Sequence, residues 1–157
     1  MEKKVLDVCC GSRMFWFDKN DPRAVFADIR EETVVADSRE GRRTITIKPD
    51  VLADFTSLPF AADTFSLVVF DPPHLKRNGA GSWMAKKYGK IPANFLDQYQ
   101  QAFKECFRVL KKDGVLVFKW NEIDIPVSQI LSLTSNKPLF GNRCGKQSKT
   151  HWIVFMK

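Results

Sequence analysis

The chain has 157 residues, of which 44% are hydrophobic and 13 are phenylalanine, a composition that excludes intrinsic disorder and is sufficient for one domain with a buried core. Lysine and arginine number 25 against 18 aspartates and glutamates, which gives a net charge of +7. This charge favours a polyanionic partner, although a basic surface that only keeps the protein soluble would give the same total. No apolar run is long enough to cross a membrane, and the apolar segment near the start is too short for a secretory signal, so we expect a cytoplasmic protein.

The cysteines of the sequence do not form a metal-binding pattern. Cys9 and Cys10 are adjacent, and neither they nor Cys106 and Cys144 form a Cys-x-x-Cys pair. The two histidines do not complete a ligand set. We therefore expect buried thiols in a reducing compartment and no bound metal.

Short apolar runs alternate with helical patterns along the chain, which predicts an α/β fold with a mostly parallel sheet. Strands are predicted, in chain order, at 5–8, 24–28, 33–36, 44–47, 50–53, 65–70, 115–120 and 152–156, the last paired with a segment near residue 139. Helices are predicted at 13–20, 93–110 and 125–135. The run at 65–70 is the most continuous apolar segment, which is typical of a central strand buried on both faces.

Three connecting segments carry further signals. Residues 33–48 contain two β-rich runs around a turn with Gly41, which predicts a β-hairpin insertion where a crossover helix would be usual. Residues 75–92 are basic and contain aromatic residues, and long loops inside compact domains are often functional. The sequence Lys-Lys-Asp-Gly at 111–114 supplies the positive charge and the glycine that commonly end a helix.

Acidic residues stand at the ends of three predicted strands. Asp7 lies just before the turn at Gly11, Asp28 ends the second strand, and Asp54 follows the run at 50–53. In open α/β sheets ligands bind at the carboxyl ends of the strands. Asp28 is placed to accept both hydrogen bonds from a ribose diol, and Asp54, beside Phe55, to accept one from an adenine amine. The series therefore predicts a site for an adenosine moiety, although each acid alone is also typical of a solvated strand end or a helix cap.

The turn after the first strand distinguishes between two kinds of adenosine-containing ligand. It contains Gly11 but lacks the Gly-x-Gly-x-x-Gly pattern that lets the backbone approach a pyrophosphate, which disfavours a nicotinamide-dependent oxidoreductase. A methionine-type tail carries an ammonium group and a carboxylate and tolerates such a turn. Asp7 would then either fix the loop or help to receive the positively charged tail.

The tetrad Asp71-Pro72-Pro73-His74 follows the most apolar strand. The two prolines fix their φ angles and remove two backbone N–H donors. The carboxylate of Asp71 and the carbonyl of Pro72 are then acceptors suited to gripping an amino group, and His74 can stack on an aromatic base. A rigid strand exit with a surface histidine is the alternative interpretation.

Taken together, these motifs resemble the class I S-adenosylmethionine-dependent methyltransferases. The sequence Val-Leu-Asp-Val-Cys-Cys-Gly at 5–11 is similar to the first motif of that family. Residues 53–69 are similar to the segment leading into its fourth strand, and residues 109–114 to the segment before its fifth. The tetrad is similar to the Asp/Asn-Pro-Pro-aromatic motif of amino-methyltransferases that act on adenine or cytosine. The resemblance covers nearly the whole chain and extends to small stand-alone methyltransferases carried by phages and prophages.

The resemblance implies a Rossmann-like seven-stranded sheet of order 3-2-1-4-5-7-6, with an antiparallel last strand, in a single domain over 1–157. It implies DNA methylation, with methyl transfer to an exocyclic amino group, adenine N6 in preference to cytosine N4, and DNA in preference to RNA. The cofactor, S-adenosylmethionine, would be bound by Asp7, Cys9, Gly11, Asp28, Ile29, Asp54, Phe55 and Asp71. The catalytic residues would be Asp71, Pro72, Pro73 and His74. The substrate would be contacted by Trp83, Lys86, Lys87 and Tyr88.

The sequence also departs from the family pattern. His74 stands where nucleic-acid enzymes usually have Tyr, Phe or Trp, and Arg13 where many members have a second glycine. No target-recognition domain is visible, so sequence-specific recognition would need the loop at 75–92, the hairpin, the second subunit of a homodimer or a separate partner. A methyltransferase for a protein side-chain amide or a small molecule remains an alternative, as does a non-catalytic module that binds cofactor or DNA.

Overall fold

The structure is a computed structural model, which describes residues 2–38, 41–76, 86–87 and 89–157. The strands are β1 (Val5–Asp7), β2 (Ala24–Asp28), β3 (Glu32–Ser38), β4 (Gly41–Ile47), β5 (Val51–Leu52), β6 (Phe65–Phe70), β7 (Leu110–Asn121), β8 (Phe140–Arg143) and β9 (Thr150–Met156). The longer helix is α1 (Phe95–Val109), and a short helix, α2 (Val127–Leu131), lies within the region predicted at 125–135. No helix in the described ranges is long and apolar enough to span a membrane.

The main sheet has seven strands in the order β5-β2-β1-β6-β7-β9-β8. Counted along the chain within this sheet, the order is 3-2-1-4-5-7-6, as the resemblance to class I methyltransferases implied. Strands β5, β2, β1, β6 and β7 run parallel, and β9 is antiparallel to both of its neighbours. The predicted α/β class and Rossmann-like arrangement are therefore confirmed.

The β-hairpin predicted at 33–48 is also present, as a separate two-stranded sheet. Strands β3 and β4 pair in antiparallel register from Glu32 opposite Ile47 to Ser38 opposite Gly41. Ile45 and Ile47 are buried, whereas Thr44 and Thr46 between and beside them are exposed. The alternation of apolar and polar residues anchors the hairpin by one face and leaves the other face in solvent.

Helix α1 covers one face of the sheet through aromatic side chains. Phe103 packs edge-on against Phe118 of β7, with ring centres 5.1 Å apart, and Phe107 packs against Phe155 of β9 at 5.9 Å. Tyr99 is fully buried and contacts Trp120, whose indole Nε1 donates to the carbonyl of Ile125 at 3.0 Å. These contacts fix the helix against strands β6, β7 and β9.

The register of three adjacent parallel strands positions the site. Asp7 of β1 lies opposite Phe26 of β2 and Val69 of β6. Asp28 and Asp71 each come two residues after those partners, so their side chains emerge at the same carboxyl edge of the sheet. The strand-end acids predicted from the sequence are thus brought together by parallel pairing.

The helix predicted at 13–20 does not form. Residues after β1 make a series of turns, with hydrogen bonds from the amide of Arg13 to the carbonyl of Cys10 and from that of Trp16 to the carbonyl of Arg13. Arg13 has a φ of 55°, in the left-handed region, which is incompatible with an α-helix starting there. Within this segment Phe15 packs against Trp152 and Trp16 against Phe26, whereas Phe17 is fully exposed.

The end of α1 also differs from the prediction. The helix stops at Val109, and β7 begins at Leu110 without a glycine cap. Gly114 lies inside β7, and a Cβ there would come within 2.8 Å of both Leu110 Cδ1 and the Lys111 carbonyl. The left-handed residue of this segment is Asp113, with a φ of 62°. Gly114 is thus required by close packing.

Replacing Gly114 by alanine tests this assignment. The added methyl must displace the backbone of Lys111 or the side chain of Leu110, so we expect Gly114→Ala to lower the free energy of unfolding by about 1–3 kcal/mol. The measurement is urea denaturation, with Lys112→Ala at the neighbouring exposed position as the control. Equal stability of the two variants would contradict the packing role.

Candidate functional site

A cavity of about 260 Å³ opens at the carboxyl edge of β1, β2 and β6. Its walls come from the turn after β1, the end of β2, the segment after β5, the tetrad and β7, and include Cys9, Gly11, Asp28, Phe55, Asp71 and Lys119. Most of the lining is apolar, with charged groups at separate points of the wall. This combination is typical of a site for a small organic ligand with a few polar groups.

Asp28 connects the ends of β1 and β2. One carboxylate oxygen accepts the amide of Gly11 at 2.9 Å, and the other accepts the amide of Arg30 at 3.0 Å. The guanidinium of Arg30 adds an ion pair at 3.5 Å. Each carboxylate oxygen can accept more than one hydrogen bond, so Asp28 keeps the capacity predicted for a ribose diol. Ile29, next to it in the cavity wall, is 60% exposed and offers an apolar surface.

Asp7 is fully buried behind the cavity and is absent from its lining. Its Oδ2 accepts the indole N–H of Trp16 at 2.7 Å, whereas Oδ1 has no hydrogen-bond partner among the residues that the structure describes. Burial raises the pKa of Asp7 to about 7, and the nearby carboxylates of Asp71 and Asp28 add to the shift. Of the two roles predicted for Asp7, this contact with Trp16 is of the loop-fixing kind.

Asp71 forms an ion pair that the sequence did not suggest. Its Oδ2 accepts a hydrogen bond from the Nζ of Lys119 at 2.7 Å, and both side chains are largely shielded from solvent. Burial raises the pKa of Asp71, and the Lys119 ammonium acts in the opposite direction. The Nζ of Lys119 also lies 5.6 Å from the ring centres of Phe15 and Trp152, within cation–π range.

The rest of the tetrad faces partly inward. Pro73 lines the cavity, and its carbonyl accepts the hydroxyl of Tyr99. His74 is 8% exposed and packs edge-on against Trp120, with ring centres 6.1 Å apart. Its ring also hydrogen-bonds the backbone of Pro72, and burial lowers its pKa. The stacking face predicted for His74 is therefore covered, and the acceptor predicted on Pro72 already has an internal donor.

Asp54 and Phe55, predicted as neighbours in the cofactor site, separate in the structure. Phe55 lines the cavity and packs against Phe70 and Tyr99. Asp54 is exposed and outside the lining, and its Oδ1 accepts both the amide and the hydroxyl of Thr56. That pattern is typical of a local turn, in which the Asp54 side chain bonds to its own segment.

The turn after β1 contains one glycine, and Arg13 adopts the second left-handed conformation in it. Its φ of 55° follows that of Gly11, 49°, so arginine occupies a conformation that favours glycine. The guanidinium compensates by donating to the carbonyls of Lys19 and Lys48 and to Asp50, while lying 3.8 Å over the ring of Phe26. The departure from the family pattern is thus a structural anchor.

The loop at 75–92 reaches the cavity through its described residues. The carbonyl of Lys86 accepts a hydrogen bond from Arg30 at 3.1 Å, and Lys87 contributes to the cavity wall. A Cβ on Gly89 would come within 3.3 Å of the ring of Pro73. Trp83 and Tyr88, predicted to contact the substrate, lie outside the described residues.

Known structures share this fold. No protein-family model matches the sequence, and no curated protein is significantly similar to it. A protein of Pyrococcus horikoshii superposes with a TM-score of 0.63 at 18% identity, over 99% of this chain and 82% of the other. A S-adenosylmethionine-dependent methyltransferase of Methanosarcina mazei gives 0.59 at 14% identity, over 100% and 94%. The N-methyltransferase NodS of Bradyrhizobium japonicum gives 0.58 at 12% identity, over 99% and 85%. At these identities the comparison establishes the fold.

Sequence reasoning missed Lys119, Trp16 and Arg30. Lys119 carries a usable signal, because it lies near the carboxyl end of a predicted strand and alternates with buried Phe118 and Trp120. The contact of Trp16 with Asp7 was missed because a helix was expected at 13–20. Within the described residues no group of three or more His, Cys, Asp or Glu side chains is arranged to hold a metal, and the expectation of no metal stays a prediction.

The buried carboxyl of Asp7 predicts a pH-dependent stability. Its pKa rises from 3.8 to about 7 on folding, so between these values the folded chain keeps a proton that the unfolded chain releases. The stability contribution is fully present below the unfolded pKa and is lost as pH rises to the folded pKa, at about 1.4 kcal/mol per pH unit. Asp7→Asn cannot ionise and keeps an acceptor for Trp16. We expect wild type to lose about 4 kcal/mol relative to this variant between about pH 4 and pH 7.

Urea denaturation of both proteins across that range, without added ligand, makes the comparison. Parallel pH profiles for wild type and Asp7→Asn would contradict the raised pKa.

Proposed function

We propose that the chain is an S-adenosylmethionine-dependent methyltransferase that methylates the exocyclic amino group of a nucleic-acid base, adenine N6 in preference to cytosine N4. The observation that carries the proposal is the placement of Asp28 and Asp71 on one cavity at the carboxyl edge of a 3-2-1-4-5-7-6 sheet. The names of two proteins with this fold, a S-adenosylmethionine-dependent methyltransferase and an N-methyltransferase, support the choice of cofactor and of a nitrogen acceptor.

The cavity residues fit this cofactor. Asp28 would hold the ribose hydroxyls, with its carboxylate already oriented by the amides of Gly11 and Arg30. Ile29 and Phe55 supply apolar surface for the adenine ring, and Cys9 forms part of the wall beside them. The cofactor supplies a methyl group made electrophilic by its positively charged sulfur. The side chains of Asp28 and Asp71 in the lining place carboxylates around a site that takes a cation.

Asp71 is the residue that would act on the acceptor. Lys119 occupies Oδ2, so Oδ1 is the oxygen available to accept a hydrogen bond from the substrate amine. That bond orients the nitrogen lone pair, and the carboxylate stabilises the positive charge that develops on nitrogen during transfer. The surplus proton of the methylated amine passes to Asp71 and then to water. Burial around Asp71 strengthens these interactions by excluding solvent.

Lys119 would set the protonation state of Asp71. Burial alone would favour the neutral carboxylic acid, which donates where an acceptor is required. The ammonium of Lys119, 2.7 Å from Oδ2, opposes this rise in the pKa and favours the ionised carboxylate. The rings of Phe15 and Trp152, each 5.6 Å from the ammonium, add cation–π contacts. Lys119 is in this sense a positioning residue for Asp71.

One observation favours a different acceptor. A base held by stacking needs an exposed aromatic face, and His74 is buried against Trp120. A protein side-chain amide or a small molecule could be gripped by Asp71 without such a platform. Product analysis after methyl transfer separates these substrates, and cofactor binding without any product would indicate a non-catalytic module.

Substitution of Asp71 tests the acceptor-binding role. We expect Asp71→Asn to lower the rate of methyl transfer by at least about 100-fold, because the side chain can no longer take the charge or the proton of the amine. Cofactor affinity should change by less than about threefold, since Asp28 and the apolar wall remain. The measurements are transfer of labelled methyl to methyl-free DNA and bulk RNA, followed by nucleoside analysis, and calorimetry with the cofactor.

A matched control lies at the other end of β6. Asp63 forms a 2.7 Å ion pair with Lys157 but is remote from the cavity, so Asp63→Asn makes the same chemical change and should leave transfer unchanged. Equal activity of the two variants would remove Asp71 from the mechanism, and no cofactor binding by wild type would refute the proposed function.

The Lys119 contact predicts a change in the pH profile. Because Lys119 lowers the pKa of Asp71, Lys119→Met should raise that pKa and move the acid limb of the single-turnover profile to higher pH. Lys157→Met removes the ammonium from the Asp63 pair and should leave the limb in place. A profile unchanged in Lys119→Met would show that Asp71 is not the titrating group.

A further inference from the structure

A second depression, of about 710 Å³, lies beside the cavity between the turn after β1 and the hairpin. We call it the basic groove. Among the described residues its lining includes the cations Arg13, Lys19, Arg43, Lys48 and Lys87 and the single carboxylate Asp50. The cations come from separate parts of the chain, namely the turn after β1, strand β4, the connection to β5 and the segment at 86–87. The fold has therefore gathered positive charge that is dispersed in the sequence.

The one acid in this lining is already neutralised. Asp50 accepts Arg13 Nη2 at 3.1 Å and the amide of Phe26 at 3.1 Å, and the Nζ of Lys3 lies 3.7 Å away. Arg13 is likewise committed to its structural contacts. The other cations of the lining are Lys19, Arg43, Lys48 and Lys87, of which the first three are exposed and Lys87 is half-buried.

The basic groove is continuous with the cavity. Both are lined by Gly11, Ser12, Met14 and Lys87, so they meet at the turn after β1. The groove is polar, with the hydroxyls of Thr44 and Thr46 beside the cations, whereas the cavity is mostly apolar. A ligand that spans both would carry negative charge in one part and a planar, weakly polar group in the other.

We propose that the basic groove binds the phosphodiester backbone of a nucleic-acid strand whose target base enters the cavity at Asp71. The assignment rests on the proposed function for the identity of the base, and on the groove itself for the phosphates. Lysine and arginine side chains at this density recognise successive phosphates without reading sequence. The β-hairpin, which lies in the connection between β2 and β5, thereby contributes directly to strand binding. A single strand fits better than a duplex, because its base reaches Asp71 without first being unpaired.

The test measures strand binding apart from catalysis. Fluorescence anisotropy with a single-stranded oligonucleotide, as DNA and as RNA, is recorded over a range of salt concentrations for wild type and for the double variant Arg43→Gln/Lys48→Gln. Both positions are exposed, so the variant should fold. We expect its affinity at low salt to fall by about tenfold and the slope of log affinity against log salt to decrease in magnitude by about 1.4, as two phosphate contacts are lost.

The control is Lys112→Gln/Lys137→Gln, which removes the same charge at two exposed positions outside the groove lining, one near the start of β7 and one shortly before β8. It should bind like wild type. Equal losses in the two double variants, or no binding by wild type, would overturn the proposal. So would equally strong, groove-dependent binding of polyglutamate, because the groove would then be selecting charge alone.

Two further readouts distinguish this proposal from the proposed function. Cofactor affinity should be unchanged in Arg43→Gln/Lys48→Gln, and a loss equal to that for the strand would instead assign the basic groove to the cofactor. Groove-dependent strand binding without methyl transfer would uphold the groove and refute the proposed function. If wild type and the double variant methylate oligonucleotides equally well, the proposed function is upheld and the role of the basic groove is refuted.

Discussion

The parallel pairing of β2, β1 and β6 is the constraint on which the site depends. Asp7 is in register with Phe26 and Val69. Because the three strands are parallel, this register brings their carboxyl ends to the same edge of the sheet. Parallel register fixes the spacing of these strand ends through backbone hydrogen bonds, independently of the side chains that follow. Asp28 and Asp71 are therefore held by the sheet, and their neighbourhood is built afterwards by the segments that leave it.

Three carboxylates this close repel one another, and each is accommodated differently. Asp28 is satisfied by backbone amides and Arg30, Asp71 by the ammonium of Lys119, and Asp7 by an indole N–H together with a pKa raised to about 7. The gradation has a chemical consequence. Asp28 can accept neutral hydroxyls, Asp71 carries a charge controlled by its partner, and Asp7 can stay protonated behind them, which limits the total negative charge at the edge.

The turn after β1 joins the cavity to the basic groove. Arg13 adopts a left-handed conformation that costs about 1–2 kcal/mol for a residue with a side chain. Its contacts with Lys19, Lys48, Asp50 and Phe26 offset that cost and fasten the turn to the base of the hairpin. Arg13 thus connects the turn after β1 to the β-hairpin. A nucleic-acid strand in the basic groove and a small ligand in the cavity would therefore both contact this turn.

The amino-acid sequence by itself determined the α/β class, the hairpin and the strand-end acids at Asp28 and Asp71. These follow from local periodicity, from β-branched composition and from the rule that ligands collect at carboxyl ends of parallel strands. The strand order was implied by the resemblance of the motifs to class I methyltransferases. The tertiary structure alone decided which candidates meet. It paired Lys119 with Asp71 across 48 residues, buried His74 against Trp120, and bonded Asp54 to Thr56 outside the cavity lining. Such outcomes depend on side-chain packing between elements far apart in the chain, and residue spacing along one strand or helix does not encode them.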